Sequence, residues 1–327
     1  MQIGPRPRRR SSGEPSGPQR GGSFNSLIGV TGYVVLGCII SKVTGAPYWE
    51  FLRKRIFDPA GMKTIRIISE SDIVPHRASG YLPTETGFRN QDWVSPKLNT
   101  TADGSMLLSL DDMIAWNETV RNRRILKPES WSLMQGALTL SSGKSYPYGF
   151  GWFIDSAGGQ VVHQHGGSWQ GFRTQFTRYT GDDLAIVVLT NSGADDPPAL
   201  TAAVAGAIDP ALATPPLPKV PLRDADPVVT AKVRRTLERS ARGELALEDF
   251  SYVRQGLLPR MRAALAFRLK DLTTPDRLDL LTRADIGDDR RFVYRAGYGA
   301  RTFLVTVSIA PDGGLTELLV REETGAR

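Results

Sequence analysis

Apolar and polar positions along the chain fall into stretches with different periods. From residue 31 to 43, Tyr33, Val34, Val35, Leu36, Cys38, Ile39, Ile40 and Val43 run with few polar breaks until Gly45 and Pro47. A run apolar on every side predicts a buried helix with a glycine cap. Residues 48–57 mix apolar and charged positions at helical spacing, which predicts an amphipathic helix ended by Pro59 and Gly61. Residues 69–101 hold Pro75, Pro83 and Pro96 with few periodic hydrophobes, so a long irregular excursion is expected, of the kind that covers a binding site. Ser109, Asp111 and Asp112 read as the cap and acidic first turn of a helix through Met113, Trp116 and Val120, and Lys127-Pro128-Glu129 opens another near Trp131.

The period then changes to two. Residues 149–154, 161–164, 171–179 and 184–191 are short β-branched and aromatic runs divided by glycine-rich turns, notably Ala157-Gly158-Gly159 and Thr180-Gly181-Asp182-Asp183, and predict an antiparallel meander. A helix over 198–208 follows, then the proline-rich residues 210–221, a stiff linker. Beyond Asp226, helical patterns at 228–241 and 247–253 give way to strands at 291–298, 302–309 and 315–321, the last two joined by a turn at Pro311-Asp312-Gly313-Gly314. The expected architecture is an antiparallel sheet flanked by helices, followed by a small α+β domain. Its expected limits are 1–26 for a disordered or aberrant N-terminus, 27–209 for the sheet domain, 210–226 for the linker and 227–327 for the accessory domain.

Composition narrows the function. With 40% apolar and 23% charged residues the chain is globular material for about two domains, which excludes a fibrous or wholly disordered protein. Of the net charge of +7, residues 1–23 contribute +4, so the basic balance is no sign of a nucleic-acid partner. Those first residues are mostly Arg, Gly, Pro and Ser, which predicts disorder and lacks the apolar core of a secretory signal. Residues 27–40 are interrupted by Gly29, Thr31, Gly32 and Gly37 and fall short of the roughly 20 residues of a membrane span. The single cysteine, Cys38, excludes an internal disulfide and a thiolate metal cluster, and inside its apolar run it reads as a packing residue.

The densest chemical signal is His163-Gln164-His165-Gly166-Gly167. Histidines at i and i+2 on a strand share a face, which admits a zinc pair, though no nearby Cys or acidic cluster supplies further ligands and His76 is isolated. A second reading makes His165 a hydrogen-bonding group on an edge strand, with Gly166 and Gly167 leaving room for a substrate to pair there. The third is a tight turn with a half-exposed histidine. A formal Ser-x-x-Lys spans Ser141 to Lys144, but Gly143, Ser145 and Pro147 place it in a loop, where the one-turn spacing that lets lysine deprotonate serine is lost.

Several motifs in order resemble the serine β-lactamase-related hydrolases, comprising class C β-lactamases, D-alanyl-D-alanine carboxypeptidases and esterases. They are Thr31-Gly32-Tyr33 with the apolar run after it, Phe57-Asp58-Pro59-Ala60-Gly61-Met62, Ala102-Asp103-Gly104-Ser105-Met106 with Ser109 and Asp112, Tyr148-Gly149-Phe150-Gly151-Trp152, and His165-Gly166-Gly167 with Gly171-Phe172. The resemblance covers residues 31–208. It implies an α/β, β-lactamase/transpeptidase-like fold, present in part, with His165 at the family's third catalytic motif and Gly166, Gly167 and Ser168 lining the substrate strand. It implies no cofactor, a small acyl or peptide substrate, and for intact members a periplasmic or extracellular location.

Two family motifs lack counterparts. The nucleophilic Ser-x-x-Lys belongs upstream of the tyrosine motif, and residues 1–30 hold none; the Tyr-x-Asn would fall on Ile28, Gly29 and Val30, which cannot transfer a proton. The expectation is a truncated or frameshifted member: a serine hydrolase of β-lactams, D-alanyl peptides or esters with impaired activity, or else a non-catalytic peptide- or wall-binding module. The region beyond Asp226 weakly resembles small C-terminal domains attached to such hydrolases.

Overall fold

The computed structural model describes residues 30–67, 72–84, 86–91, 94, 102–104, 106–223, 226–251 and 258–323. The expectations for residues 1–26 and for Ile28 and Gly29 lie outside them. The described residues fall into two compact units, one within Ile28–Asp224 and Asp279–Tyr294, the other within Ala225–Leu278 and Arg295–Arg327.

The first unit opens with helix α1 (Val30–Thr44), and Gly45 closes it at φ 69°, a left-handed cap that costs glycine no Cβ clash. The expected helix is there, but its expected burial is not. Of residues 32–44 only Gly37 is buried, where its missing side chain lets the helix lie against Ala102; a Cβ there would stand 2.4 Å from that residue's own. Val35, Leu36, Ile39 and Val43 are exposed, Val43 by 80%. Cys38 is exposed with them rather than packed. Helix α2 (Tyr48–Leu52) continues through a π-helical turn (Arg53–Phe57) into α3 (Asp58–Ala60) and stops at Gly61, φ 79°. Pro59 therefore lies inside the helical run rather than at its end. The wider turn, with the Asp58 amide reaching back to the Arg53 carbonyl, makes room for a residue that has no N–H to offer and a ring that crowds the preceding turn.

Part of the expected irregular excursion is a small antiparallel hairpin, β1 (Tyr81–Thr84) and β2 (Gly87–Asn90). Helix α4 (Leu110–Arg121) starts as its sequence predicts. The Ser109 hydroxyl accepts from the Asp112 amide at 3.3 Å and the Asp112 carboxylate accepts from the Ser109 amide at 3.1 Å. Helix α5 (Pro128–Gln135) and the short pair β3 (Leu138–Thr139) and β4 (Ser145–Tyr146) lead into the sheet.

That sheet is the predicted meander: β5 (Phe153–Ala157), β6 (Gln160–Trp169), β7 (Phe172–Tyr179) and β8 (Leu184–Thr190), antiparallel neighbours in chain order. Two-residue turns set the register. Gly158 and Gly159 (φ 58° and 75°) join β5 to β6, and Gln170 and Gly171 (φ 47° and 79°) join β6 to β7. Positive φ at both positions matches the right-handed twist of paired strands. One sheet face, with Phe176, Ala185 and Val187, packs on Met113, Val120 and Trp131 of α4 and α5 and on Trp152. The other, with Val162, Tyr179 and Ile186, packs on Ala205 of α6 (Pro197–Ile208) and on Leu212.

The second unit contains α7 (Pro227–Ala241), which buries Val229, Val233 and Leu237, and α8 (Leu258–Arg268). Residues 247–249 form a single 3-10 turn where a helix over 247–253 was expected, since Asp249 folds back onto the Ala246 amide at 2.7 Å; residues 252 and 253 are outside the described set. Strands β9 (Arg277–Ile286), β10 (Asp289–Tyr298), β11 (Arg301–Ile309) and β12 (Leu315–Glu322) form a four-stranded sheet in the order β12-β11-β10-β9, of which residues 279–294 are counted in the first unit and β11 and β12 in the second. Thus the mixed helix and antiparallel-sheet fold and the α+β C-terminal region stand as expected, with α8 and β9 added. Among the described residues no helix is long and apolar enough to cross a membrane.

Candidate active site

Strand β6 does not end at the histidines. Its ladder with β7 runs from Val162 opposite Tyr179 to Trp169 opposite Phe172, carrying Gly166 and Gly167 inside it. The tight-turn reading of this segment is therefore excluded. Glycine fits without displacing its neighbours at both positions: a Cβ on Gly166 would lie 2.8 Å from Gln175 Oε1 and one on Gly167 2.7 Å from Thr174 Oγ1, so those side chains would have to shift. On its other side β6 pairs with β5 only up to Gln164 opposite Phe153. Residues 165–168 thus extend past the end of β5, and Gly166, Gly167 and Ser168 are exposed.

The two histidines share a face, as their spacing requires, but serve different partners. His163 is buried, its Nε2 3.1 Å from the Gln135 carbonyl and its ring 6.1 Å from Trp152. Burial lowers its pKa and the Arg178 guanidinium adds to this, against the opposing hydrogen bond to Gln135, so the ring is held towards the neutral form. Its Nδ1 has no hydrogen-bond partner among the described residues. His165 lies among Tyr148 and Phe153, with ring centroids 6.0 and 5.4 Å away. His165 Nδ1 is 2.7 Å from the Gly166 carbonyl and Nε2 is 3.1 Å from the Tyr148 hydroxyl. A carbonyl can only accept, so Nδ1–H donates to it; in the neutral ring Nε2 then accepts from Tyr148. Among the described residues no group of three His, Cys, Asp or Glu side chains is placed to hold a metal ion.

Tyr148 also hydrogen-bonds Tyr33 on α1. Burial, and then that neighbour, push its phenol far above the usual tyrosine range, which keeps it a proton donor. These groups line a cleft of about 300 Å³ whose wall adds Tyr48 from α2, Asp103 and Met106. Burial raises the Tyr48 pKa and the Asp103 carboxylate raises it further. The cleft can therefore hold a polar group at a phenol–imidazole pair, offer a strand edge to an extended chain, and present one carboxylate to a cation. Of the residues singled out in the sequence, His165 lines this cleft, while Gly166, Gly167 and Ser168 are not in its lining; Tyr33, Tyr48, Tyr148 and Asp103 were given no role. Tyr33, Tyr148 and Asp103 stood inside quoted motifs, which was the available signal. The Ser141 to Lys144 match lies in the turn between β3 and β4, as expected, and lines no part of the cleft.

The segment after α3 is tied to the start of α4 through Asp112. Its carboxylate accepts from the Thr64 amide at 3.0 Å and from the Thr64 hydroxyl, besides capping α4. Burial pushes this carboxyl up, but the hydrogen bonds from Thr64 and Ser109 outweigh it and hold the pKa below the usual range.

Residues 29–208 match the protein family described as Beta-lactamase. The D-aminopeptidase of Gluconobacter oxydans (strain 621H) is 32% identical over 157 residues, covering 47% of this chain and 29% of that protein. Among solved structures, the D-amino acid amidase from Ochrobactrum anthropi SV3 complexed with L-phenylalanine is similar at 28% identity and a TM-score of 0.43, covering 51% of this chain and 49% of that one. The octameric penicillin-binding protein homologue from Pyrococcus abyssi aligns at 20% identity and a TM-score of 0.48, over 91% and 58%. The chain spans less than a third of the length of the aminopeptidase and about half of the amidase.

Proposed function

Since the chain belongs to the beta-lactamase family of serine hydrolases, we propose that it supplies the strand-and-imidazole side of an acyl-transfer site. Its substrate is a β-lactam, a D-alanyl peptide or an ester, and these 327 residues alone bind such compounds without turning them over efficiently. The observation that supports this most is the edge of β6 at residues 165–168, running past the end of β5 beside the Tyr148–His165 pair. An extended acyl chain laid along that edge exchanges backbone hydrogen bonds with it, and Gly166 and Gly167 put no side chain in its way. Its reacting carbonyl then lies beside His165. There Nε2, accepting from the Tyr148 hydroxyl, holds that phenol, the proton-bearing group of the pair, beside the departing group, and Tyr33 continues the hydrogen-bonded chain. Asp103 favours an acyl group that carries a protonated amine, as a D-amino acid amide does.

The impairment follows from the chemistry of acyl transfer, which needs a nucleophile beside a base. The one Ser-x-x-Lys in the sequence is the β3–β4 turn, leaving binding and oriented hydrogen bonds as the contribution of these residues. A purely peptide- or wall-binding role is the second reading, favoured because among the described residues no serine or lysine lines the cleft.

Intact-mass spectrometry after incubation with benzylpenicillin, beside equilibrium binding of D-alanine amide, tests both parts. The expected result is no covalent adduct together with measurable binding that His165→Ala weakens about tenfold, the worth of roughly one good hydrogen bond. A stoichiometric adduct would overturn the impairment; binding indifferent to His165→Ala would overturn the site.

A further inference from the structure

The face of the sheet turned away from His165 carries a second hollow, of about 340 Å³, between β5–β7 and α6, closed on one side by Leu212 and Pro215. Three features set it apart from ordinary sheet-on-helix packing. First, Thr201 of α6 lines it while only 2% exposed, and its hydroxyl has no hydrogen-bond partner among the described residues. A buried hydroxyl left in that condition costs on the order of 1–3 kcal/mol, and a helical threonine ordinarily avoids it by bonding a carbonyl one turn back.

Second, the floor is polar where a helix-covered sheet face ordinarily carries apolar side chains. Gln175 Nε2 donates to Gln164 Oε1 at 2.8 Å and to Thr177 Oγ1 at 3.1 Å, and Gln164 Nε2 donates to Asp155 Oδ2 at 3.2 Å. Gln164 and Thr177 of this row line the hollow, and it ends at the exposed carboxylate of Asp155 on the rim. Third, Val162, Leu212 and Pro198 form apolar walls beside the polar Ser156 and Thr214, and no lysine or arginine lines the hollow.

We propose that this hollow is a binding site for a neutral polyhydroxyl molecule the size of a single sugar ring. Planar carboxylate and carboxamide groups each meet two adjacent hydroxyls at once, the carboxylate as acceptor and the amide as both donor and acceptor. Asp155 and Gln164 provide that pair, Thr201 completes a third contact from the opposite wall, and the apolar walls match the C–H face of a pyranose. An anion is disfavoured by Asp155, which no cation in the lining offsets. A wholly apolar ligand leaves Thr201 unbonded. The volume falls at the lower end of the roughly 300–1,000 Å³ typical of small-molecule sites. The site is separate from the acyl-transfer reading, because its residues point to the other side of β6 and its occupancy is read without any acyl chemistry.

The experiment is saturation-transfer NMR and calorimetry on the full chain with D-glucose, D-mannose and D-galactose. At least one hexose is expected to bind. Thr201→Val, which keeps the side-chain shape and removes the hydroxyl, is expected to weaken that binding about tenfold while the melting temperature holds or rises. Asp155→Ala, on the exposed rim, is expected to weaken it comparably and decides the matter if the Thr201 variant fails to fold. The proposal is overturned if none of the three hexoses binds the unaltered chain, or if binding survives Asp155→Ala undiminished.

Discussion

Odd and even residues of strand β6 live in different chemistry. His163 and His165 project into an aromatic layer with Trp152, Phe153 and Tyr148, backed by α4 and α5. Val162 and Gln164 project the other way, where an amide and hydroxyl row lies beneath α6. A strand sandwiched between helices ordinarily reads as continuous hydrophobe. Polar side chains on both faces instead mean that each face has partners to satisfy, and the two faces satisfy them by different means: rings and shape on one, a hydrogen-bonded row on the other. The first depends on packed volume, the second on who donates to whom.

Substitutions can break this contrast. The largest effect is expected on the aromatic face, where Trp152→Ala should cost about 3–5 kcal/mol in urea unfolding, the range for emptying a packed aromatic site. On the opposite face Gln175→Leu replaces a buried amide by an apolar group of similar size and should cost about 1–2 kcal/mol, the worth of its bonds to Gln164 and Thr177. Equal losses in the same measurement would erase the distinction between the faces. The cap of α4 gives the scale: Ser109→Ala should cost about 1 kcal/mol.

Acid sharpens the comparison further, because the aromatic face contains a buried titrating ring. With its folded pKa depressed below the ordinary 6.5, His163 takes up its proton more readily in the unfolded chain. Its contribution to stability is therefore full above pH 6.5 and falls as pH drops towards the folded value. Melting temperature followed across that range should decline on acidification, and His163→Gln should flatten the decline. Asp112 acts in a lower window. Its carboxyl is also depressed, so its contribution persists above the ordinary value of 3.8 and is lost as pH falls through the folded one.

What the sequence disclosed divides along similar lines. The meander was legible because alternation and the Gly158-Gly159 turn are local signals, each readable within a few residues. Helix α4 was legible for the same reason, since its capping pair is three residues apart. Helix α8 was not, because Pro259, Arg260 and Arg262 interrupt any apolar stripe over Leu258–Arg268. Strand β9 was missed because the adjacent Leu280 and Leu281, both buried, break a period of two. The burial of α1 was misjudged because composition reports what a helix would bury, while packing depends on what lies against it; the near contact at Gly37 and Ala102 is made by the smallest residue in the run. At the cleft, His165 came from one short motif, but Tyr33 and Tyr48 on two consecutive helices meet Tyr148, about a hundred residues further on, and no local pattern encodes that meeting.

The lone thiol of Cys38 gains a practical use from its exposure. A chain with a single cysteine, and that one exposed, accepts one maleimide dye or nitroxide without mutagenesis, and here the attachment point lies on the helix that carries Tyr33 into the cleft. Emission colour or spin-label mobility at that position would register, in real time and at one known address, whatever comes to rest on the outward stripe of α1.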